Sequence, residues 1–243
     1  MIPKIIHYCW FGRNPLPPLA QDCIASWKKY LPDYEIKEWN EDNFDVNVIP
    51  YTAEAYRAHK YAFVSDYARF WILYNYGGLY FDTDVEIIRP LDDVIAAGAF
   101  MGFERNPDGK RRGLVAPGLG LGGEKENLFW GLMLNHYETL HFVDNNGCLL
   151  IDKTVVHHTT DILEKLGLNS DKKQIVSGIT IYPAEYFAPI HFVTRRLHIT
   201  NNTRTIHRYM GSWADKKPTM LEKFKRFCPE WLLIISNKIK RKD

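Results

Sequence analysis

The sequence predicts an α/β fold built around a largely parallel sheet. Short apolar runs alternate with segments whose apolar residues recur at helical spacing, from the start of the chain to about residue 140. Clusters of glycine and proline separate these segments. Alternation of this kind is typical of parallel sheets covered by helices, which bind ligands beyond the carboxyl ends of their strands.

The predicted strands are short apolar or alternating runs. They cover residues 4–10 (KIIHYCW), which we place at the centre of the sheet, 34–39 (YEIKEW) and 79–88 (LYFDTDVEII). Predicted helices lie between them, over residues 19–30, where Pro17 and Pro18 suit a helix start, and over 51–76 as two helices that Gly77 and Gly78 terminate. The segment 104–123 is rich in Gly, Pro and Arg and is predicted to be a mobile loop.

Length and composition indicate a globular protein without a nucleic-acid partner. Hydrophobic residues make up 46% and charged residues 25% of the 243 residues, and a net charge of +2 is too small to indicate nucleic-acid binding. We expect one domain over residues 1–215 and a distinct tail over 216–243. The tail combines a Trp-Leu-Leu-Ile-Ile run with lysines and arginines, a pattern typical of a helix on an anionic membrane or of a terminal helix packed on its domain.

The cysteines and the apolar runs indicate the cellular compartment of the protein. Four cysteines, at positions 9, 23, 148 and 228, lack the close spacing of metal or redox motifs and are interpreted as reduced, mostly buried thiols. The opening residues are too polar for a signal peptide, and no apolar run approaches the roughly 20 residues of a membrane span. We therefore expect a cytoplasmic protein.

The stretch GGLYFDTDVE, residues 77–86, carries two carboxylates at the end of an apolar strand. Unpaired charges are costly to remove from water, so Asp82 and Asp84 need partners. Residues at i and i+2 of a strand point to opposite faces, but both can approach one centre where the strand breaks into a turn. Hard oxygen ligands suit Mg²⁺ or Mn²⁺, which usually takes its remaining ligands from water and phosphates. A solvated turn with two acids is the alternative.

Two further polar groups stand out. Asp66 and Arg69 share one face of an aromatic-rich helix, either as a local ion pair or as a group that binds sugar hydroxyls. Near residue 210, TIHRYMGSWADK brings together His207, Ser212 and Trp213. His157 and Asp161 also have the i, i+4 spacing of a metal pair, but we interpret them as a helix face.

These blocks together resemble glycosyltransferase family 32, whose members carry a sugar-binding region with a DXD motif and include bacterial capsule and lipopolysaccharide enzymes. The resemblance runs through IPKIIHYCWFG, WKKYLPDYEIKEWN, SDYARFWILYNYGGLYFDTDVE and TIHRYMGSW, up to about residue 215. It implies a GT-A type, Rossmann-like nucleotide-sugar-binding fold and transfer with retention of anomeric configuration. Many bacterial members carry a Gly-Pro pair before the helix near residue 160, where this chain has TVVHHTTDIL.

The resemblance also implies roles for individual residues. Asp84 coordinates Mn²⁺ or Mg²⁺ directly, Asp82 reaches the metal and the donor, and His207 is a further metal ligand. Asp66 and Arg69 hold the donor hexose. The remaining donor contacts are assigned to Tyr80 in the pocket wall, Trp10 stacked on the base, and Ser212 and Trp213 at the diphosphate.

The resemblance therefore implies a metal-dependent glycosyltransferase that uses a nucleotide sugar, with UDP-hexose expected. The acceptor is a saccharide or a lipid-linked oligosaccharide in the synthesis of a capsule, lipopolysaccharide or other bacterial surface polysaccharide. In this role the protein works at the inner face of the cytoplasmic membrane, with peripheral contact through the tail. The 104–123 segment and the loop around Ser212 are candidates to close over the donor.

Two other functions remain open at this point. A non-catalytic protein that binds nucleotide sugars needs the same residues but does not turn the donor over. A phosphohydrolase of the haloacid dehalogenase type also has a DxDx[TV] motif, which FDTDV fits. That class places the motif on its first strand and needs a later acidic pair, and the acids at 92 and 93 follow too soon.

Overall fold

The computed structural model describes residues 1–104, 113–190 and 196–211. The strands are β1 (Ile5–Cys9), β2 (Glu35–Trp39), β3 (Gly78–Tyr80), β4 (Val85–Ile87), β5 (Phe100–Gly102), β6 (Leu121–Gly123), β7 (Gln174–Val176), β8 (Ile179–Tyr182) and β9 (Thr205–His207). The helices are α1 (Pro18–Tyr30), α2 (Pro50–Arg57), α3 (Tyr61–Tyr76), α4 (Asp92–Ala96), α5 (Leu128–Glu138) and α6 (Val155–Lys165). The predicted tail over 216–243 lies outside the described residues.

The central sheet has seven strands in the order β2-β1-β3-β6-β5-β8-β7. β1 pairs in parallel with β2 and β3, and β5 pairs in parallel with β8. β6 and β7 are antiparallel to their neighbours, so the other five strands run in one direction. The predicted α/β class with a mostly parallel central sheet is confirmed.

Helices pack on both faces of this sheet because side chains alternate along each strand. Tyr80 and Met101 belong to the apolar core that contains α2, α3 and α5. Their strand neighbours Leu79 and Phe100 belong to a second core, which includes Trp27 of α1. The carboxyl ends of β1, β3 and β5 therefore lie at one edge, between two layers of helix.

The predicted helices are confirmed in number and place. α1 begins with Pro18, whose missing N–H is tolerated in the first turn. The 51–76 region forms α2 and α3, and α3 ends at Gly77, whose φ of +66° suits glycine. Within the described ranges, no helix is both long and apolar enough to span a bilayer.

The predicted strand over 79–88 is two strands. β3 belongs to the central sheet, whereas β4 pairs antiparallel with β9 in a separate two-stranded sheet. The extended conformation is interrupted at residues 81–84, which form a turn between the two strands. Asp82 and Asp84 both lie in this turn. The two-stranded sheet brings the segment that carries His207 against the acidic motif.

The prediction of a mobile loop is wrong for residues 113–123. Pro117–Leu119 form a buried turn of 3₁₀ helix, and β6 lies in the middle of the central sheet. A β-carbon on Gly122 would meet Leu79 Cδ2 at 2.6 Å and Phe100 Cε1 at 2.8 Å. The glycines are needed here for close strand packing, which is one meaning of glycine inside a strand. Residues 105–112 lie outside the described part.

Candidate active site

The acidic motif is held in a turn. The Val85 amide donates to the Asp82 carbonyl at 3.0 Å, and the Asp82 amide donates to the Gly118 carbonyl at 3.1 Å. The two carboxylates have different partners, so the charge of each is balanced by a separate set of groups.

Asp82 is held by groups from α3 and β3. The Tyr80 hydroxyl donates to Asp82 Oδ1 at 3.1 Å, and Arg69 Nη2 lies 3.4 Å from the same oxygen. The Arg69 guanidinium also lies over the Tyr80 ring, 5.1 Å from its centroid. About 30% of the Asp82 side chain is exposed, so this carboxylate remains accessible at the edge of the sheet.

Asp66 and Arg69 form a buried ion pair, with Nη2 and Oδ1 3.0 Å apart. Burial raises the pKa of Asp66 to about 7, although the Arg69 charge and a hydrogen bond from the Val155 amide act in the opposite direction. Arg69 keeps its charge, because the carboxylates of Asp82 and Asp66 outweigh the effect of burial and raise its pKa. The observed role of the pair is to support Asp82. Direct contact with a donor hexose stays a prediction.

Asp84 is paired with His207 across the two-stranded sheet. His207 Nε2 lies 3.0 Å from Asp84 Oδ1, and the Met210 amide donates to Oδ2 at 2.8 Å. Burial favours the neutral form of each group, but their mutual attraction outweighs it. The net pKa of Asp84 is lowered and that of His207 is raised. Asp82 also attracts His207, so both carboxylates of the motif act on this imidazole.

This donor set fits a divalent metal that shares its ligands with a substrate. Carboxylate oxygens and an imidazole nitrogen are ligands that Mn²⁺ accepts, and Mg²⁺ is held by one or two carboxylates together with water and phosphates. His207 Nδ1 is buried and has no hydrogen-bond partner among the residues that the structure describes. Within the part of the chain that the structure describes, no three His, Cys, Asp or Glu side chains are grouped to hold an ion by themselves. The residues present would therefore bind the metal together with a diphosphate.

Trp10 follows β1 at the same edge of the sheet. Its backbone amide donates to the Trp39 carbonyl at 2.8 Å, and its indole N–H donates to the Asn14 carbonyl at 2.6 Å. The ring is partly exposed and held in a fixed orientation. Stacking on a nucleotide base stays a prediction, and the predicted contacts of Ser212 and Trp213 lie outside the described residues.

The helix-face interpretation of His157 and Asp161 agrees with their contacts. His157 closes the capping box of α6 with Thr154. Asp161 forms a surface ion pair with Lys153 at 2.7 Å. Each side chain therefore already has a local structural partner.

Gly118 is a residue of the site that sequence reasoning missed. A β-carbon on Gly118 would meet Asp82 Oδ2 at 2.0 Å and Arg69 Nη1 at 3.3 Å. The Asp82 carboxylate thus occupies the space that any side chain at position 118 would need. The APGLG run around Gly118 has the composition of a loop. A single sequence does not indicate which side chain such a glycine contacts.

Glu104 is a second missed residue. Burial of its carboxyl group raises its pKa to about 7, partly offset by attraction to His207. An apolar strand, FMGF, runs directly into this acid, as β3 runs into Asp82. That pattern was the available signal, but a single acid next to a glycine-rich segment was interpreted as the start of a loop.

Residues 17–101 match the family described as "Glycosyltransferase sugar-binding region containing DXD motif". Inositol phosphoceramide mannosyltransferase 3 of Schizosaccharomyces pombe is 35% identical over 98 residues, which cover 39% of this chain and 27% of that protein. Mannosyl phosphorylinositol ceramide synthase CSH1 of Saccharomyces cerevisiae is 32% identical over 109 residues, covering 42% and 28%. The matched region thus spans little more than a quarter of the length of these two relatives.

Solved structures with distant similarity include two glycosyltransferases. The PaToxG glycosyltransferase has a TM-score of 0.45 and 19% identity, over 68% of this chain and 69% of that one. The galactosyltransferase LgtC in complex with donor and acceptor sugar analogs has a TM-score of 0.42 and 13% identity, over 95% and 99%.

Proposed function

Residues 17–101 match the glycosyltransferase sugar-binding region with a DXD motif, and from this match we propose that the protein is a metal-dependent, retaining hexosyltransferase. It takes a hexose from a nucleotide sugar, UDP-hexose in this proposal, and transfers it to a saccharide or lipid-linked oligosaccharide. The product belongs to a bacterial surface polysaccharide such as capsule or lipopolysaccharide. The observation that carries the proposal is the pairing of Asp84 with His207 at 3.0 Å, in the break where the acidic strand leaves the sheet.

In this reaction the leaving group is a nucleoside diphosphate, which must depart with additional negative charge. A bound divalent cation would supply positive charge that stabilises the leaving group. Asp84 and His207 would hold the cation from one side, and Asp82 would approach it from β3. Arg69 and Tyr80 hold Asp82 in place, through contacts of 3.4 and 3.1 Å to the same oxygen. These carboxylates place charge and do not act as bases.

The donor's base and sugar would occupy neighbouring parts of the same edge. Trp10 would stack on the base, and a ring that is already fixed by its indole hydrogen bond loses little freedom on binding. Asp66 and Arg69 lie behind Asp82 and would set the position of the hexose. Attack from the face that the diphosphate leaves gives retention, and Asp66 is the carboxylate that we assign to stabilise the positive charge that develops on the sugar.

The two yeast relatives named above are mannosyltransferases or mannosyl-lipid synthases by name. A GDP-sugar therefore belongs in any donor panel, and a lipid belongs among the acceptors. Work at the inner face of the cytoplasmic membrane, with contact through residues 216–243, is part of the proposal.

Released nucleotide, measured with UDP- and GDP-sugars in Mn²⁺ and in EDTA, tests the proposal. We expect metal-dependent release from one donor and its loss in Asp84→Ala. Glu35→Gln, an exposed residue of β2, is a matched surface control. Calorimetry with UDP and Mn²⁺ separates the alternatives. Binding without turnover, with every acceptor tried, would favour a non-catalytic binding protein, and absence of metal-dependent binding would refute the metal site.

A further inference from the structure

Glu104 lies at the same edge of the sheet as the acidic motif. Leu79 of β3, Gly122 of β6 and Phe100 of β5 stand side by side in the ladder. Glu104 comes four residues after Phe100, and Thr83 comes four residues after Leu79. Glu104 therefore lies about as far along the strand direction as the acidic motif. With one strand between β3 and β5, the two strands are about 10 Å apart.

The backbone around Glu104 is fixed. Its amide donates to the Leu114 carbonyl at 2.8 Å, and the Phe103 amide donates to the Tyr182 carbonyl at 2.9 Å. A β-carbon on Gly113 would meet the Glu104 carbonyl oxygen at 2.1 Å, so the returning chain packs directly on it. The side chain is thus presented from a rigid strand end.

Alternation along β5 decides the direction in which Glu104 points. Met101 and Phe103 face the core that contains α3 and Tyr80, whereas Phe100 faces the core that contains Val85 and Ile87 of β4. Glu104 continues the Phe100 side, toward the two-stranded sheet. The attraction between Glu104 and His207 agrees with this placement.

The carboxylate of Glu104 lacks a hydrogen-bond donor among the described residues. Throughout the described ranges, no backbone amide or side-chain group donates a hydrogen bond to it. A desolvated carboxylate without a donor is costly, and a ligand that brings an O–H group would remove that cost.

The charges around Glu104 narrow the class of ligand. The carboxylates of Asp82, Asp84 and Glu104 all act on one imidazole, His207. A second anion beside the donor's diphosphate would be repelled by this group, whereas neutral hydroxyls would not. We propose that Glu104 is an acceptor-binding residue, whose carboxylate accepts a hydrogen bond from a hydroxyl group of a neutral sugar or polyol. This inference rests on the proposed transferase function and identifies a residue that would bind the acceptor.

The test compares Glu104→Gln with the wild type and with the surface control Glu35→Gln. Donor hydrolysis without acceptor, Mn²⁺-dependent binding of UDP, and donor turnover against rising concentrations of glucose, galactose, N-acetylglucosamine and myo-inositol are measured for each. We expect one of these polyols to stimulate the wild type. In Glu104→Gln, KM for that polyol should rise about tenfold to hundredfold, with hydrolysis and UDP binding unchanged.

Three results would overturn the inference. The first is equal polyol saturation in Glu104→Gln and wild type. The second is a loss of UDP binding or hydrolysis in Glu104→Gln with KM for the polyol unchanged, which would place Glu104 on the donor side. The third is a wild type that hydrolyses the donor but responds to none of the polyols. Failure of the transferase function itself looks different, since the wild type then releases no nucleotide in any condition.

Discussion

A β-carbon at Gly118 would lie 2.0 Å from Asp82 Oδ2, well inside the contact distance of two non-bonded atoms. Gly118 also accepts a hydrogen bond from the Asp82 amide, so the same residue holds the backbone of the motif and leaves room for its side chain. The position of this carboxylate is therefore set by a residue in the turn that precedes β6 as well as by Arg69.

Gly118→Ala should displace the Asp82 carboxylate and reduce donor turnover. Misplacing a group by about 1 Å can cost on the order of a hundredfold in rate. The measurement is kcat/KM for nucleotide release, with circular dichroism as the folding check. Gly131→Ala, on α5, is the matched control, since its nearest neighbour is Tyr74 Cε2 at 3.3 Å and not a carboxylate. Equal activity in Gly118→Ala would show that Asp82 tolerates a shifted position.

Arg69→Met should destabilise the protein strongly, because it leaves Asp66 and Asp82 without their shared cation. Removing one partner of a buried ion pair costs about 3–5 kcal/mol. Urea unfolding followed by fluorescence measures the free energy of unfolding. Arg13→Met removes an equally direct ion pair, 2.6 Å from Asp42, at a site where both side chains are more than 60% exposed. We expect no measurable change there, and similar losses in both variants would contradict the special role of Arg69.

The Asp84–His207 pair should give the metal-free protein a stability window in pH. The pKa of Asp84 is lowered, so its contribution is present above its ordinary value of 3.8 and is lost as pH falls further. The pKa of His207 is raised, so its contribution is complete below 6.5 and is lost as pH rises through the higher value in the folded state. The Tm difference between wild type and His207→Gln, measured in EDTA, should be largest between about pH 4 and 6.5.

That difference should shrink steadily above neutral pH. His157→Gln, at a half-buried position in the first turn of α6, is the control for a histidine outside the site. A Tm difference independent of pH would mean that His207 contributes only packing and not charge.

Trp10→Ala should weaken UDP binding with little effect on the hydrolysis rate of bound donor. Base stacking on an aromatic ring contributes about 1–3 kcal/mol, which corresponds to roughly tenfold or more in Kd. Calorimetry with UDP and Mn²⁺ gives the affinity directly. Trp10→Phe keeps a stacking surface but loses the bond to the Asn14 carbonyl, and it should retain most of the affinity. Unchanged binding in Trp10→Ala would place the base elsewhere.

The sequence predicted those features that depend on local periodicity. The helices around Asp66, the stop at Gly77 and the acidic end of β3 follow from spacing and composition within short segments. β6 was missed because a glycine-rich strand has few apolar side chains to mark it, and its glycines are required by neighbours from β3 and β5. Gly118 acquires its role through contacts between distant segments, which no local pattern records, whereas the only local sign of Glu104 is the apolar run that ends in it. His207 stands out in the sequence as part of a polar and aromatic cluster, but its role as a metal ligand is implied only by the family resemblance, since a lone histidine carries little information.

The contact between Asp84 and the Met210 amide joins positions 126 residues apart. During synthesis the ribosome therefore releases the acidic motif on the order of ten seconds before the strand that completes the site. An unfinished chain has Asp82 and Asp84 but not the imidazole or the amide that fix Asp84. In a chain that ends before residue 207, the acidic motif therefore lacks both groups that orient Asp84 in the complete fold.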